Sequence, residues 1–389
     1  MFKADFPSAK DVHNFDSAAT GLLPNSVING VTNYWQNSCS NAGRSAYFRS
    51  LEITDFIDNT RASVANYFGA EASELLFTPG ATHSINWVAH GLDVSENDSI
   101  LITKTDHHAN ILPWLNLQKK GIKIRWVNCN EFGRIDIDDF RDKIKGCKIA
   151  AFSGASNVSG AIQDIKTLVK IAKENGSLSL VDAATTRPTQ KNIDFKNRAV
   201  ILWRLLVIKS CLQRELGFSF PRAESQKRLN PCIIGGGGIE DIDGSDFSMR
   251  EYPSGFESGT PSVEGIIGLF HAIKWYKDKK QDEVFSHEEK IRSKIQKHFA
   301  DMGIETINPE NSTPLVTFNI EGLRPHIIAS KLDRLGNVLV RSGHMCAIPF
   351  TRTIRKQKAG FVRVSVGPWN DDNDVKALVG TIRKILDEN

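Results

Sequence analysis

KIAAFSGASNVSGAIQDIKTLVKIAKENGSLSLVD, from Lys148 to Asp182, decides the fold. Lys148 to Ser153 reads as a short buried strand, and Leu178 to Asp182 as another. Between them Ile165, Leu168, Val169 and Ala172 recur at helical spacing. Asn175-Gly176 then supplies a helix stop. Strand, helix, strand in this order predicts a parallel sheet covered on both faces. Ligands of such sheets sit at the carboxyl ends of the strands, where Asp182 and the loop from Ser153 to Asn157 fall.

Outward from this unit, Asp98 to Thr103 reads as a further buried strand. Ile53, Phe56, Ile57, Val64, Tyr67 and Phe68 mark an amphipathic helix. A second region begins near residue 265, with helical patterns at 265–277 and 283–300 and a strand-like run from Pro314 to Ile320. The last helix carries Val375, Leu378, Val379, Ile382, Ile385 and Leu386 on one face, with Asn370-Asp371-Asp372 as capping candidates. The expectation is an α/β domain over 15–264 and a smaller α+β domain over 265–389 joined by 1–14.

Composition fits a globular chain. Of 389 residues, 40% are hydrophobic and 24% charged, and the net charge is +4. That balance argues against nucleic acid or a membrane surface as partner. No secretory signal is read, and the longest apolar run, Ala199 to Ile208, is broken by Arg204. Six scattered cysteines (Cys39, Cys129, Cys147, Cys211, Cys232 and Cys346) form no C-x-x-C pair, so neither a disulfide framework nor a metal site is expected. A cytoplasmic location is the expectation.

Five stretches hold residues able to do chemistry. Thr78-Pro79-Gly80-Ala81-Thr82 offers free amides and a hydroxyl at a helix start, which suits an anion. Asp106-His107-His108-Ala109-Asn110 follows a strand end and could stack a ring on a flat ligand. Asp182 closes an apolar strand, and Arg363 lies in the strand-like Phe361 to Ser365, where an inward guanidinium would want a carboxylate. Arg341-Ser342-Gly343-His344-Met345-Cys346-Ala347 places a thiol beside Arg and His, which favours thiolate. Each has a plainer reading when taken alone: a capped Gly turn, surface or core histidines, an N-cap, a half-buried structural cysteine.

As an ordered set these stretches resemble the group II cysteine desulfurases and selenocysteine lyases, fold type I pyridoxal-phosphate (PLP) enzymes of the class V aminotransferase type. The match runs from Phe15-Asp16-Ser17-Ala18-Ala19-Thr20 to the C-terminal helix and includes DHHANILPW at 106–114, SNVSG at 156–160, VDAA at 181–184, GGGGI at 235–239 and FESGTP at 256–261. The resemblance implies a large PLP-binding domain with a mainly parallel seven-stranded sheet, and a homodimer. It implies that His107 stacks on the cofactor ring, Asp182 pairs with the pyridinium nitrogen, and Asn157 meets the 3-hydroxyl region. Ala81 and Thr82 would hold the phosphate, and Thr260 would reach the phosphate in the neighbouring subunit. Lys209 would carry the cofactor as a Schiff base and then move the Cα proton. Arg363, with Arg44 nearby, would grip the carboxylate of L-cysteine. Cys346 would take the substrate sulfur as a persulfide, releasing alanine, and hand it to a sulfur-acceptor protein.

Three places depart from that pattern. Thr185 stands where the family usually has Gln, and His83 where Glu is common. Around the lysine the family reads roughly D-F-x-x-F-S-G-H-K followed by P-T-G-x-G, whereas here Leu206 and Ile208 occupy the phosphate-binding Ser and His positions before Lys209. A local reading-frame shift accounts for this stretch. Codons for Ala199 onward can be read, one base displaced, as SDFVAFTGHKIMSPTGVGV, and the lysine survives in either frame. True divergence is the alternative, and it would leave a catalytically impaired homologue. A class V aminotransferase or epimerase-like enzyme, which needs no Cys346, is the other enzymatic reading.

Overall fold

The computed structural model describes residues 2–43, 45–186, 200–205, 217–219, 221, 226–354 and 358–388. Fourteen strands are found among these residues: β1 (His13–Asn14), β2 (Leu76–Thr78), β3 (Ser99–Thr103), β4 (Lys123–Val127), β5 (Cys147–Ser153), β6 (Leu178–Ala183), β7 (Val200–Leu205), β8 (Gly217–Ser219), β9 (Ile239–Asp243), β10 (Asp246–Met249), β11 (Leu315–Phe318), β12 (Val338–Leu339), β13 (Arg341–Gly343) and β14 (Phe361–Ser365). Five form one parallel sheet in the order β4-β3-β5-β6-β7. Alternate residues of its strands enter different cores. Ile100, Ile102, Ile149, Ala151 and Leu180 join one cluster, while Leu101, Ala150, Phe152 and Val181 join another. That two-sided burial is the doubly covered sheet expected from the near-continuous apolar runs. Seven strands are implied by the resemblance. Hydrogen bonds unite five of them, and β2 and β8 form a separate antiparallel pair beside β7.

Helices α1 (Asn25–Asn33), α2 (Phe48–Tyr67), α3 (Ala81–Gly91), α4 (Leu112–Gln118), α5 (Ile137–Lys143) and α6 (Ile165–Glu174) belong to this part. The α6 helix is the periodic segment read between the two founding strands. It buries Ile165, Leu168, Val169, Ile171 and Ala172. Asp164 caps its start by accepting the Thr167 amide, and Gly176 turns the chain at φ +70° after its end.

The rest of the chain holds α7 (Val263–Asp278), α8 (Gln281–Asp301), α9 (Pro325–Gly336), α10 (Ile348–Thr353) and α11 (Asp372–Asp387). Helix α7 and the start of α8 pack into the first core through Ile266, Leu269, Ile273, Val284 and Phe285. From Ile291 onward α8 packs into a separate core with α9, α11 and the antiparallel sheet β11-β14-β13. Asp371 caps α11, accepting the Asn373 and Asp374 amides. The N-terminal segment is shared between the cores: Phe2, Phe6 and Ala9 are buried in the first, whereas β1 pairs in parallel with β12 and Phe15 is fully buried in the second. Phe15 donates its amide to Leu339 and accepts from the Ser365 amide, so it lies between β12 and β14. A small apolar cluster, with Val158, Met345, Ala347 and Phe350, joins the two parts. No helix among the described residues is long and apolar enough to cross a membrane.

Candidate active site

A cleft of about 360 Å³ opens at the carboxyl ends of β5 and β6. Its wall includes Ala81, Thr82, His107, Asn157, Asp182 and Thr185, six positions singled out from scattered stretches of sequence. Strand register brings two sides together, because Ser153 and Asp182 are partners across β5 and β6. The third side is the start of α3. There Gly80 has φ +155°, a conformation open to glycine and strained for other residues. The Gly80 carbonyl takes the Ser84 amide, so the Ala81, Thr82 and His83 amides precede the helix ladder. No side chain caps them. Three N–H groups at the positive end of a helix dipole suit an anion such as a phosphate.

Asp182, also on the wall, is almost fully buried. Its Oδ1 accepts the Ala184 amide at 2.9 Å. Behind it lies a second buried carboxyl, Asp106, whose Oδ1 accepts the Ser153 amide at 2.6 Å. Burial pushes Asp106 up to about 7, helped by the charge of Asp182 and opposed by the Ser153 amide. His107 Nδ1 accepts the Ala109 amide at 3.1 Å, which leaves the ring proton on Nε2. Thr185 donates its hydroxyl to the Ala155 carbonyl at 2.7 Å, so that proton is already committed. Thr186 donates back to Ala183 and lies outside the wall.

Asn157 joins the cleft to the second part of the chain. Its Nδ2 donates to the Met345 carbonyl at 2.6 Å, and its own carbonyl accepts Arg363 Nη1 at 2.7 Å. Arg363 is buried on β14, and its Nη2 lies 3.4 Å from Asp16 Oδ1. Burial lowers its affinity for the proton, and Asp16 works against that. Two buried polar atoms here have no partner among the described residues, Asn157 Oδ1 and Arg363 Nε. Orphaned atoms of this kind are uncommon and point to a group that completes them.

Cys346 stands outside the cleft wall, exposed, on the loop between β13 and α10. Met345 and Cys346 both have positive φ, +47° and +57°. Thr260 is not in the cleft. It lines a second hollow of about 200 Å³ with Asn41, Gly43 and Arg250. Lys209 and Arg44 lie outside the described residues.

Sequence reasoning gave no individual role to Asp106, Ser153, His108 or Asp16. Asp106 and His108 sit inside the DHHAN stretch, but only burial and partners across the fold distinguish them from ordinary loop residues. The assembled cleft brings together the groups a flat phosphorylated cofactor needs: anion-binding amides, a buried carboxylate and an imidazole. Among the described residues no cluster of His, Cys, Asp or Glu could hold a metal ion.

A sequence model of the class-V aminotransferase family matches residues 13–378. A probable cysteine desulfurase of Pyrococcus abyssi is 32% identical over 99% of this chain and 96% of its own length. One of Methanothermobacter thermautotrophicus is 30% identical over 98% and 97%. Among solved structures, an apo cysteine desulfurase from Thermococcus onnurineus superimposes with a TM-score of 0.93 at 29% identity, covering 100% of this chain and 98% of that one. A cysteine desulfurase of Escherichia coli in an S-sulfonic acid form gives 0.90 at 26% identity, over 99% and 98%.

Proposed function

The chain belongs to the class-V aminotransferase family, among its cysteine desulfurases, and from that premise we propose that it binds PLP and converts L-cysteine to L-alanine, with the sulfur left on Cys346. The observation that carries the reading is the single cleft lined by Ala81, Thr82, His107, Asn157 and Asp182. When bound, the cofactor supplies an electron sink for negative charge at the substrate Cα.

The chain's own residues have these tasks in the proposal. The Ala81 amide and the Thr82 amide and hydroxyl hold the phosphate. Asp182 keeps the pyridinium nitrogen charged, and His107 stacks on the ring. The Asn157 side-chain amide, whose Nδ2 has a second N–H besides the one given to the Met345 carbonyl, would meet the ring's 3-oxygen. Lys209 Nζ anchors the cofactor and then moves the Cα proton. Arg363, with Arg44, takes the substrate carboxylate, for which its unpartnered Nε is one donor. The Cys346 thiolate attacks the substrate sulfur. An S–S bond forms, the Cβ–S bond breaks, and its electron pair passes to carbon, where a proton completes alanine. In a homodimer Thr260 reaches the phosphate of the other copy, which accounts for its place in a separate hollow. The two-stranded β2–β8 pair and the five-stranded sheet together make up the seven strands of the cofactor domain. A cytoplasmic location and delivery of sulfur to an acceptor protein complete the reading.

A second reading has its own support. Thr185 has given its proton to Ala155, and Leu206 and Ile208 cannot hydrogen-bond a phosphate. Taken at face value these residues describe an impaired homologue that binds PLP weakly. Sequencing the gene across codons 195–226 separates the two, since a compensated single-base shift restores both phosphate ligands. The direct test is an absorption spectrum of the purified protein with PLP, before and after L-cysteine. A cofactor band that shifts as alanine and sulfide appear supports the desulfurase. Turnover of amino acids without sulfide would overturn it in favour of an aminotransferase or epimerase, and no band would favour the impaired homologue.

A further inference from the structure

Resting on the reading of Cys346 as the sulfur-accepting residue, we propose that His108 is the positioning residue that fixes the Cys346 loop against the cofactor cleft. His108 touches that loop twice. Its main-chain N–H donates to the Cys346 carbonyl at 2.6 Å. Its ring Nε2 accepts the Ile348 amide at 3.1 Å. With the bond from Asn157 to the Met345 carbonyl, positions 345, 346 and 348 are each tied to the large domain.

The loop needs such ties. Met345 and Cys346 are successive non-glycine residues in the left-handed region, at φ +47° and +57°. Each is disfavoured by the crowding of Cβ against the following carbonyl and persists only where the surroundings over-determine it. Within the loop the Ala347 amide returns to the His344 carbonyl, and the His344 ring is held by the Thr351 hydroxyl. The remaining restraint comes across the fold, and His108 supplies two of those bonds.

The bond to Ile348 requires an unprotonated Nε2, so the ring must be neutral with its proton on Nδ1. Burial lowers the proton affinity of His108, and His344 nearby lowers it further, which favours this form. The adjacent histidines thereby divide the work. His107 is part of the cleft wall, and His108, its ring 6.4 Å away and tilted by 46°, faces the thiol-bearing loop. Any displacement of the cofactor-side strand end is passed to Cys346 through one peptide unit.

The test uses His108→Ala and His108→Gln in the full chain. His108→Ala removes the ring acceptor and keeps the main-chain bond, whereas the Gln side-chain carbonyl can take the Ile348 amide. Amides of the 343–351 peptide are expected to exchange about tenfold faster in the alanine variant. Its kcat for alanine formation should fall about tenfold with KM for L-cysteine within about twofold and an unchanged cofactor band. His108→Gln should recover most of both effects. Unchanged exchange and kcat in His108→Ala, or a glutamine variant no better than alanine, would overturn the proposal. If the alanine variant does not fold, His108→Leu, which keeps bulk without an acceptor, is compared with His108→Gln by the same criteria. A parent protein that forms no alanine sinks the desulfurase reading, while the exchange comparison still decides the anchor.

Discussion

The wall of the cleft and the loop that carries Cys346 are held in opposite ways. The wall consists of strand ends whose places are set by sheet register, by buried Asp106 and Asp182, and by a helix start. It lies in extended and helical backbone, with glycine at the one position that needs it. The loop has two strained residues and hangs on hydrogen bonds from His108 and Asn157, about 190 to 240 residues away in sequence. A flat cofactor wants a fixed seat. A thiol that must meet its substrate sulfur and then present it elsewhere wants a loop that can be released. The contrast teaches that seat and loop are held by different means and meet at only a few bonds, those from Asn157 and His108, so that in the proposed reaction cofactor binding and sulfur transfer would respond to different substitutions.

Four changes would break or sharpen that contrast. The largest effect is expected from Cys346→Ala, which should abolish sulfide release, at least about a thousandfold, with PLP still bound. Loss of the cofactor band in that variant would show the loop and wall to be one unit. Asp182→Asn removes a charge from the wall alone. It should lower kcat about a hundredfold and alter the absorption spectrum, with Cys346 remaining alkylatable at the parent rate.

Asp106→Asn probes the wall through stability. A carboxyl whose folded value is raised to about 7 favours the folded state fully below its unfolded value, near 4, and loses that contribution as pH rises through 7. Asparagine does not titrate. Between pH 4 and pH 7 the stability of the parent should therefore fall relative to Asp106→Asn, by about 1–4 kcal/mol. Urea midpoints at the two pH values measure it, and a constant difference would mean that Asp106 is ionised throughout. The smallest effect compares two changes at one position. Cys346→Gly should melt about 1–2 °C above Cys346→Ala, because only glycine occupies the left-handed region freely. Equal melting temperatures would show that the loop carries no strain at Cys346.

The sequence made the wall legible for a physical reason. Strand ends, a Gly turn before a helix and a terminal Asp leave local signatures, and Ala81, Thr82, His107, Asn157 and Asp182 each sit on one. The loop was legible only as a reactive cysteine. Its anchors were not, because a hydrogen bond between His108 and Ile348 leaves no trace in the spacing of either stretch. The ion contact of Arg363 with Asp16 is likewise invisible, since nothing near residue 16 announces a partner on β14. The seven-stranded sheet implied by the resemblance is found as five strands among the described residues, because β2 and β8 exchange hydrogen bonds only with each other.

The pairing of His13 and Asn14 with β12 has a consequence for synthesis on the ribosome. Phe15 leaves the exit tunnel early, yet its partners, Leu339 and Ser365, come more than three hundred residues later. At about 5–20 residues per second this is a wait on the order of tens of seconds. During that wait the parallel sheet has its own strands at hand, whereas residues 13–15 have neither β12 nor β14 to pair with. Messages that stop short of β12 would release chains with an assembled sheet and an unpaired stretch around Phe15, a form that quality-control proteases can grip.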